Sequence, residues 1–234
     1  MMTLEELEEK YMELERGYRK LEAVVQCQNL VSRYCYYQAS SMQPETVALF
    51  CQHTPDTRIE RMGGIYEGIE GIRRCFLDER PQRGTDDIRL LGYMHVETTS
   101  TPVVEVAEDL ETCRGAWICP GIETTAERGE AKGSWNWYKF GADFRQEDGQ
   151  WKIWHMHLYK VFLSPYYVSW TDVEPAAAPG VPPKGAELPP GFVMPHPDRG
   201  PSTSFAYAPD GVYPADQPAP PAPYRTFDEV ENPY

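Results

Sequence analysis

Two histidines lie two residues apart in a segment that is otherwise almost entirely apolar or aromatic. The segment, GQWKIWHMHLYKVF at residues 149–162, contains His155 and His157, two of only five histidines in the chain. The alternation of a β-strand would place both imidazoles on one face, together with Trp151 and Ile153. Paired imidazoles can bind a metal, carry protons or form hydrogen bonds inside a core.

A metal site requires about three ligands in a fixed geometry, so His155 and His157 would need a third partner such as His95. The flanking glycines and nearby glutamate that are typical of cupin-type sites are missing, since Lys160 follows the pair. The sequence therefore predicts no metal ligands, and it leaves the structural role and the acid–base role open.

A third histidine, His95, lies in a strand-like segment that places Tyr93 and Glu97 on the same face. A histidine beside a carboxylate or a phenol can act as a general base near neutral pH, and an exposed edge histidine is the alternative. Tyr34 shares a helical face with Leu30, so its ring is predicted to be inside, with a hydroxyl that needs a partner.

Aromatic residues are concentrated in the central strand-like segments. Most of these rings are expected in the core, but their hydroxyl and N–H groups also suit a pocket for a flat, hydroxylated ligand. The residues predicted to contact a substrate are Trp117, Trp135, Tyr138, Lys139, His155 and His157.

The charge of the chain limits its partners. Its 234 residues carry a formal net charge of −14, so nucleic acid and anionic membranes would be repelled. No apolar run approaches the ~20 residues that cross a bilayer. The acidic N-terminal segment lacks a signal-peptide core, and the six cysteines lack C-x-x-C spacing, so we expect a cytoplasmic protein with reduced thiols.

Sequence motifs for nucleotide or cofactor binding and for a serine nucleophile are also missing. There is no P-loop, no G-x-G-x-x-G turn that opens a helix, and no G-x-S-x-G nucleophile elbow. Any reaction is therefore expected to proceed without a cofactor.

The order of the predicted elements, helices first and long strands after, indicates an α+β fold. A capping box at Thr3 and Glu6 starts a helix, and a heptad stripe then predicts a partner helix from this domain or another subunit. The stripe consists of Leu4, Leu7, Tyr11, Leu14, Tyr18, Leu21 and Val25. Short helices are expected at about residues 44–52 and 69–80, and long antiparallel strands from residue 88 onwards.

The last 63 residues hold 16 of the 22 prolines, which excludes a helix or a central strand there. Seven aromatic residues argue against free disorder and for an extended strap on the domain or on a neighbouring subunit. These aromatics are Phe192, Phe205, Tyr207, Tyr213, Tyr224, Phe227 and Tyr234. The predicted organisation is a heptad helix at 1–25, an α+β domain at 26–171 and a strap at 172–234.

Several segments together resemble SnoaL-like proteins of the nuclear transport factor 2 superfamily. The segment QNLVSRYCYY resembles a helix that ends in R-Y, and GIYEGIEGIRRCF resembles its G-x-Y-x-G turn and following I-x-x-x-F helix. HVETTSTPVVEV, CRGAWI and KFGADFRQEDGQWKIWHMHLY resemble the sheet. The likeness covers about residues 20–165 and implies a cone, in which a curved antiparallel sheet wraps an apolar pocket closed by the helices.

The resemblance also implies roles for individual residues. Tyr34 matches a helix tyrosine that faces the pocket in several dehydratases, and His95 matches the strand histidine that acts there as base. Ala39 occupies the position of an aspartate in those enzymes. The residues that could replace this aspartate are Asp143, Glu97, Glu60 and Lys139.

The implied function is a cofactor-free lyase or dehydratase acting on a small hydroxylated aromatic compound. The aromatic tail resembles bacterial members that act on aromatic compounds, including the diarylpropane lyases of lignin-dimer breakdown. His95 is then the base, Tyr34 a hydrogen-bond donor, and His155 or His157 a contact to a substrate hydroxyl. A carrier without chemistry and a structural assembly module are the alternatives, and a homo-oligomer of two or three subunits is expected.

Overall fold

The computed structural model describes most of the chain, and its described parts are residues 2–78, 80, 84, 86, 90–127, 130–172, 196–203, 207–213 and 217–234. Phe192 and Phe205 of the predicted strap lie outside the described residues. No described helix combines the length and the hydropathy needed to cross a membrane.

The N-terminal helix, α1, runs without interruption over Leu4–Ala39. It begins at the predicted capping box, since the Glu6 N–H donates to the Thr3 hydroxyl and the Thr3 N–H donates to the Glu6 carboxylate. Helix α2 covers only Gln43–Val47, which is shorter than predicted, because the chain then turns to pair Phe50 with Ile153. Helix α3, Gly68–Arg73, continues as a π-helical turn over Arg74–Asp78.

Seven strands form one sheet in the order β2-β1-β7-β6-β5-β3, with β4 paired to β5. Their bounds are β1 Arg58–Arg61, β2 Gly64–Glu67, β3 Met94–Glu97, β4 Ser100–Val106, β5 Thr112–Glu127, β6 Glu130–Glu147 and β7 Gln150–Pro165. All of these pairs are antiparallel except β1 with β7. The strand predicted from residue 88 is wrong for residues 90–93, which form a turn around Gly92 with a φ of 72°.

The α+β cone predicted from the sequence is confirmed. The C-terminal half of α1 and the π-helical turn pack into the inner face of the curved sheet. Val31 and Phe76 have no exposed surface there, and neither do Phe140 and Ile153 on the strands. Burial of these side chains is the main driving force that closes the cone.

A β-bulge changes the faces of β7. Asp143 pairs with His155 and Phe144 pairs with Ile153, so Trp154 is an extra residue. Ile153 therefore belongs to the inner core, whereas His155 faces outward. The prediction that Trp151 and Ile153 share a face with both histidines is wrong, because strict alternation does not survive a bulge.

The outer face of β5, β6 and β7 is covered by the C-terminal segment. The Asp143 carboxylate, which has no exposed surface, lies at the centre of this contact. It accepts hydrogen bonds from Arg114 Nε at 2.8 Å, from His155 Nδ1 at 3.0 Å and from the Tyr234 backbone N–H at 2.8 Å. Three donors thus satisfy the hydrogen-bonding capacity of this buried side chain.

A second buried carboxylate, Glu60, holds an earlier part of the segment. It accepts hydrogen bonds from the Ser202 N–H at 2.6 Å and from the Thr203 N–H at 3.3 Å. His157 Nε2 lies 3.1 Å from the Thr203 hydroxyl. Burial and the nearby Arg58 lower the pKa of His157 to about 3, so this histidine is a neutral hydrogen-bond partner and does not form an ion pair with Glu60.

Removal of the Asp143 carboxylate should release the C-terminal segment. In Asp143→Ala the Arg114 guanidinium, His155 and the Tyr234 N–H lose their shared acceptor, which costs about 3–5 kcal/mol when a buried charge pair loses one partner. Denaturant unfolding should therefore show a large loss of the free energy of unfolding. Asp228→Ala, an exposed carboxylate of the same segment, is the control; equal stability of the two variants would contradict the role of Asp143.

Candidate functional site

A cluster of ionisable side chains lies on the inner face where β3 pairs with β5. His95 and Glu123 are direct partners across these strands, and Glu97 is the partner of Gly121. His95 Nε2 lies 3.3 Å from Glu97 Oε1, and His95 Nδ1 lies 3.6 Å from Glu123 Oε2. His95 and Glu97 are each only 6% exposed, so this histidine lies between two carboxylates in the interior.

Gly121 makes room for the cluster. A Cβ at this position would collide with the Asn136 side chain and with the Val96 carbonyl. The glycine thus allows Asn136 and Glu97 to approach each other behind His95. The Asn136 side chain has no exposed surface, and its Oδ1 has no hydrogen-bond partner among the described residues.

The two glutamates determine the charge of His95. Burial by itself favours the neutral imidazole, but attraction and hydrogen bonding to Glu97 and Glu123 outweigh it and raise the pKa of His95 to about 9. The pKa of Glu123 is lowered, since burial raises it less than the His95 contact lowers it. At neutral pH the site therefore contains an imidazolium between carboxylates, which is poised to donate a proton.

Two phenols share the interior with this cluster. The Tyr34 ring meets Phe76 and Phe140 edge-on, with centroids 6.1 and 6.0 Å apart. The Tyr138 hydroxyl donates to Met62 Sδ at 3.3 Å. Burial raises the pKa of both tyrosines, so each phenol is a neutral hydrogen-bond donor at neutral pH.

Two arginines complete the interior cluster. The Arg61 guanidinium lies over the ring of Phe76, 5.8 Å from its centroid. Arg80 donates from Nη2 to the Tyr93 hydroxyl at 3.0 Å, while its Nε is buried and has no acceptor among the described residues. Burial raises the pKa of Tyr93, but Arg80, His95 and Arg61 lower it by more, so the net shift is downward.

The sequence-predicted residues are divided between the two faces of the sheet. His95, Tyr34, Tyr138 and Trp117 lie on the inner side, and Trp117 packs deeper, against Phe144 at a ring distance of 6.2 Å. These four residues are brought to the same side of the sheet as expected for a pocket.

The other predicted contacts lie on the outer side. Trp135 stacks on Tyr166 at 5.9 Å, and the Lys139 ammonium lies 4.9 Å above the ring of Tyr213 in the C-terminal segment. His155 and His157 bind that segment through Asp143 and Thr203. None of these four side chains shares the inner cluster with His95 in the described structure, because the bulge and strand alternation turn them outward.

Sequence reasoning did not identify Glu123, Arg80 or the pairing of His95 with two glutamates. Glu123 could have been found, because it is separated by even intervals from Trp117 and Cys119, which also point inward. Arg80 follows Phe76 by four residues at the end of the predicted third helix, so helical periodicity could have placed it on the inner side.

Among the described residues, one surface group brings three possible metal-ligand atoms together: His53, Glu147 and Asp148. Glu147 already accepts hydrogen bonds from the backbone N–H groups of Gln52 and His53 and from Thr54. Those contacts explain the group as a loop anchor, so it supports no functional metal site.

Removal of the Glu97 charge should lower the pKa of His95. In Glu97→Gln the largest interaction that raises the pKa is lost, so the NMR titration midpoint of the His95 ring should fall from about 9 toward the usual 6.5. Glu67→Gln, which changes an exposed carboxylate, should leave this midpoint unchanged.

The raised pKa also makes stability depend on pH in the wild-type protein. The contribution of His95 to the free energy of unfolding should be fully present below pH ~6.5. It should be lost as the pH rises through about 9, at about 1.4 kcal/mol per pH unit. A wild-type midpoint near 6.5 would contradict this charge assignment.

Solved structures of several other proteins are similar to this chain. A Novosphingobium aromaticivorans protein assigned as a scytalone dehydratase is 14% identical, with 64% of this chain and 91% of that chain covered and a TM-score of 0.51. LinA is 14% identical, with 65% and 95% covered and a TM-score of 0.52. A type 2 hexachlorocyclohexane dehydrochlorinase is 13% identical, with 70% and 99% covered and a TM-score of 0.50. At such low identity these likenesses show the fold alone.

Sequence comparisons identify the family. No curated protein sequence matches the chain. The family model of the SnoaL-like domain matches residues 19–157, which include β1 to β6, most of α1 and His95 with both of its glutamates. This match covers more than half of the chain, and the cone agrees with it: the protein belongs to the SnoaL-like domain family.

Proposed function

We propose that this protein is a lyase that removes a small group from a hydroxylated aromatic compound by acid–base catalysis, with no cofactor. The observation that carries the proposal is the buried His95, held between two carboxylates and accompanied by neutral phenols. Two of the similar structures are named for eliminations, a dehydratase and a dehydrochlorinase. An acid and a base at a water-poor site are what such a reaction requires.

The charge of His95 changes the role expected from the sequence. Because its pKa is raised to about 9, His95 begins the reaction as an acid and donates a proton to the departing oxygen. The Nδ1 side is the more open side, since its carboxylate, Glu123, lies 3.6 Å away, against 3.3 Å for Glu97 on the Nε2 side. A substrate hydroxyl entering there would lie beside both an acid and a carboxylate.

Glu123 is suited to the second proton transfer. When the carbon–oxygen bond breaks, His95 protonates the leaving oxygen as water, and Glu123 accepts the proton from the adjacent carbon as the double bond forms. Glu123 then returns this proton to His95, whose Nδ1 lies 3.6 Å away, and the site is restored. The Glu123 side chain is 27% exposed, whereas that of Glu97 is 3% exposed, so Glu123 is the carboxylate that a substrate can reach.

The phenols and aromatic rings position the substrate in this proposal. Tyr34 and Tyr138 are neutral donors for an oxygen of the substrate, and Trp117 contributes to an apolar floor for its ring. A lignin-derived diarylpropane carries both a phenol and a removable hydroxyl or hydroxymethyl group. Its para-hydroxyl can stabilise a quinone-methide-like intermediate, which makes a metal or an organic cofactor unnecessary. We place this activity in the cytoplasm.

A non-catalytic carrier is the second candidate. Ala39 stands where the dehydratases that this sequence resembles have an aspartate, and both nitrogens of His95 already face carboxylates. A carrier would bind phenolic compounds in the same interior and release them unchanged. Binding without product across a panel of phenolic diols would favour the carrier.

The catalytic proposal predicts large effects at two interior positions. His95→Ala removes the proton donor and Tyr34→Phe removes one hydroxyl, so each should slow turnover by at least ~100-fold while the protein remains folded. Product formation from the panel of phenolic diols is measured by chromatography. The matched controls are His53→Ala and Tyr36→Phe, whose side chains are largely exposed. Near-normal rates of both interior variants would refute the assignment, and turnover that survives a chelator would exclude a metal-dependent route.

We also propose that the chain self-associates through α1. All seven residues of the heptad stripe are at least 50% exposed. The opposite side of the helix faces the domain, where Arg16 Nη2 donates to the Glu108 carbonyl at 2.6 Å. A stripe of this kind is stabilised when a second helix covers it.

The charges beside the stripe favour a parallel arrangement. With Leu7 and Leu14 at d positions, Glu8, Glu15 and Glu22 occupy e, and Lys10 occupies g. A parallel pair brings Lys10 next to Glu15 of the second helix, whereas an antiparallel pair places the glutamates opposite one another. A second copy of the same helix, in parallel register, therefore fits this surface.

A charge placed in the stripe should break the assembly. Leu14→Glu puts a carboxylate at a d position, so light scattering should show the mass falling to that of one 26.8 kDa chain. Met12→Glu, on an exposed position outside the stripe, should leave the mass unchanged. A wild-type protein that is already monomeric, or a Leu14→Glu protein of unchanged mass, would refute the proposal.

A further inference from the structure

The inner cluster contains more cationic groups than its acid–base work requires. The positive charges of Arg61, Arg80 and His95 all act to lower the pKa of the Tyr93 phenol. Those of the two arginines also act to lower the pKa of the Tyr34 phenol, so these charges share one part of the interior. Among the described residues the carboxylates of this cluster are Glu97 and Glu123, and both face His95. Three cationic groups therefore face two carboxylates among the described residues of this cluster.

The two arginines also have hydrogen-bonding groups that are left without an acceptor by the part of the chain that the structure describes. Arg80 uses Nη2 for Tyr93, but its buried Nε lacks an acceptor among the described residues. Arg61 lies over the Phe76 ring, and no described carboxylate lies within ion-pair distance of its guanidinium. Buried donors are nearly always satisfied, so the unpaired Arg80 Nε is a group to which a ligand in this interior could supply the acceptor.

A cationic interior is unusual in this chain, whose formal net charge is −14. The overall negative charge of the protein would repel anions at long range, so only a local group of cations could bind an anion. Lys160, on β7 opposite Tyr138, adds a further amine near Glu123. An anionic oxygen in this interior would therefore be recognised by charge as well as by shape.

We propose that the interior binds its aromatic substrate with the phenol ionised, and that the phenolate oxygen lies against Arg61 and Arg80. This inference rests on the proposed function and specifies its substrate class. Planar guanidinium groups suit an aryl oxygen, because they donate several hydrogen bonds in one plane and also stack on aromatic rings. The Arg61 guanidinium already lies over an aromatic ring, that of Phe76.

Ionisation of the phenol would assist the elimination. Electrons of the phenolate oxygen move into the ring, the bond between the benzylic carbon and its hydroxyl breaks, and the departing oxygen takes the His95 proton to form water. The products of this step are a neutral quinone methide and a neutral His95. Loss of a proton from the adjacent carbon to Glu123 then restores the aromatic ring as a phenolate with a conjugated double bond.

The test uses 4-nitrophenol, whose ionised form has its own visible absorption. At a pH about one unit below the pKa of the free probe, wild-type protein should raise the nitrophenolate absorption on binding. Arg61→Met and Arg80→Met should each weaken binding at least about tenfold, as expected for the loss of a charge-assisted hydrogen bond. Arg73→Met, a surface arginine paired with Glu70, is the matched control. 4-Nitroanisole, which cannot ionise, should bind wild type and Arg61→Met equally.

The wild-type spectrum decides the question even if a variant fails to fold. A bound probe with the spectrum of the neutral phenol would overturn the inference, and so would displacement by benzoate more readily than by phenol, since that indicates a carboxylate ligand. The proposed function is judged separately by product formation. If diols are turned over but the bound probe is neutral, only the proposal of phenolate binding is rejected. If the bound probe is ionised but no diol is turned over, only the proposed lyase function is rejected.

Discussion

The bulge at Trp154 governs how the two faces of the sheet are used. One extra residue in β7 turns Ile153 inward with Met156 and Leu158, and it turns His155 outward beside Asp143. Without it, either the apolar core or the outer hydrogen-bonded network would be lost, since a shift of one residue exchanges the faces of a strand. The helices then close the inner face and the C-terminal segment covers part of the outer one.

The two faces differ in their charged networks, although each leaves a buried polar atom unpaired among the described residues, which on the outer face is His155 Nε2. On the outer face, Asp143 is surrounded by donors from Arg114, His155 and Tyr234, which is what a structural network requires. On the inner face, Arg80 Nε and Asn136 Oδ1 have no partners among the described residues. Unpaired groups of this kind cost stability unless a ligand pairs with them, which is the basis for proposing a ligand site on the inner side.

Opposing electrostatic effects act on the histidines of the two faces. Burial dominates at His157 and lowers its pKa to about 3, so it remains a neutral partner of Thr203. At His95 two carboxylates outweigh burial and raise the pKa to about 9. The same residue type is therefore neutral in one place and protonated at neutral pH in the other, because Glu97 and Glu123 favour the charged form of His95 whereas Arg58 disfavours that of His157.

Local patterns in the sequence determined the elements that depend on neighbours in the chain. The capping box at Thr3 and Glu6, the helical face of Tyr34 and the order of helices before strands followed from spacing, because helix and strand periods are local. The likeness to SnoaL-like proteins added the cone and pointed to His95. Only the tertiary structure determined which strand residues lie next to one another. The positions of Glu123 beside His95 and of His155 beneath the C-terminal segment depend on strand register and a bulge, which involve residues distant in sequence.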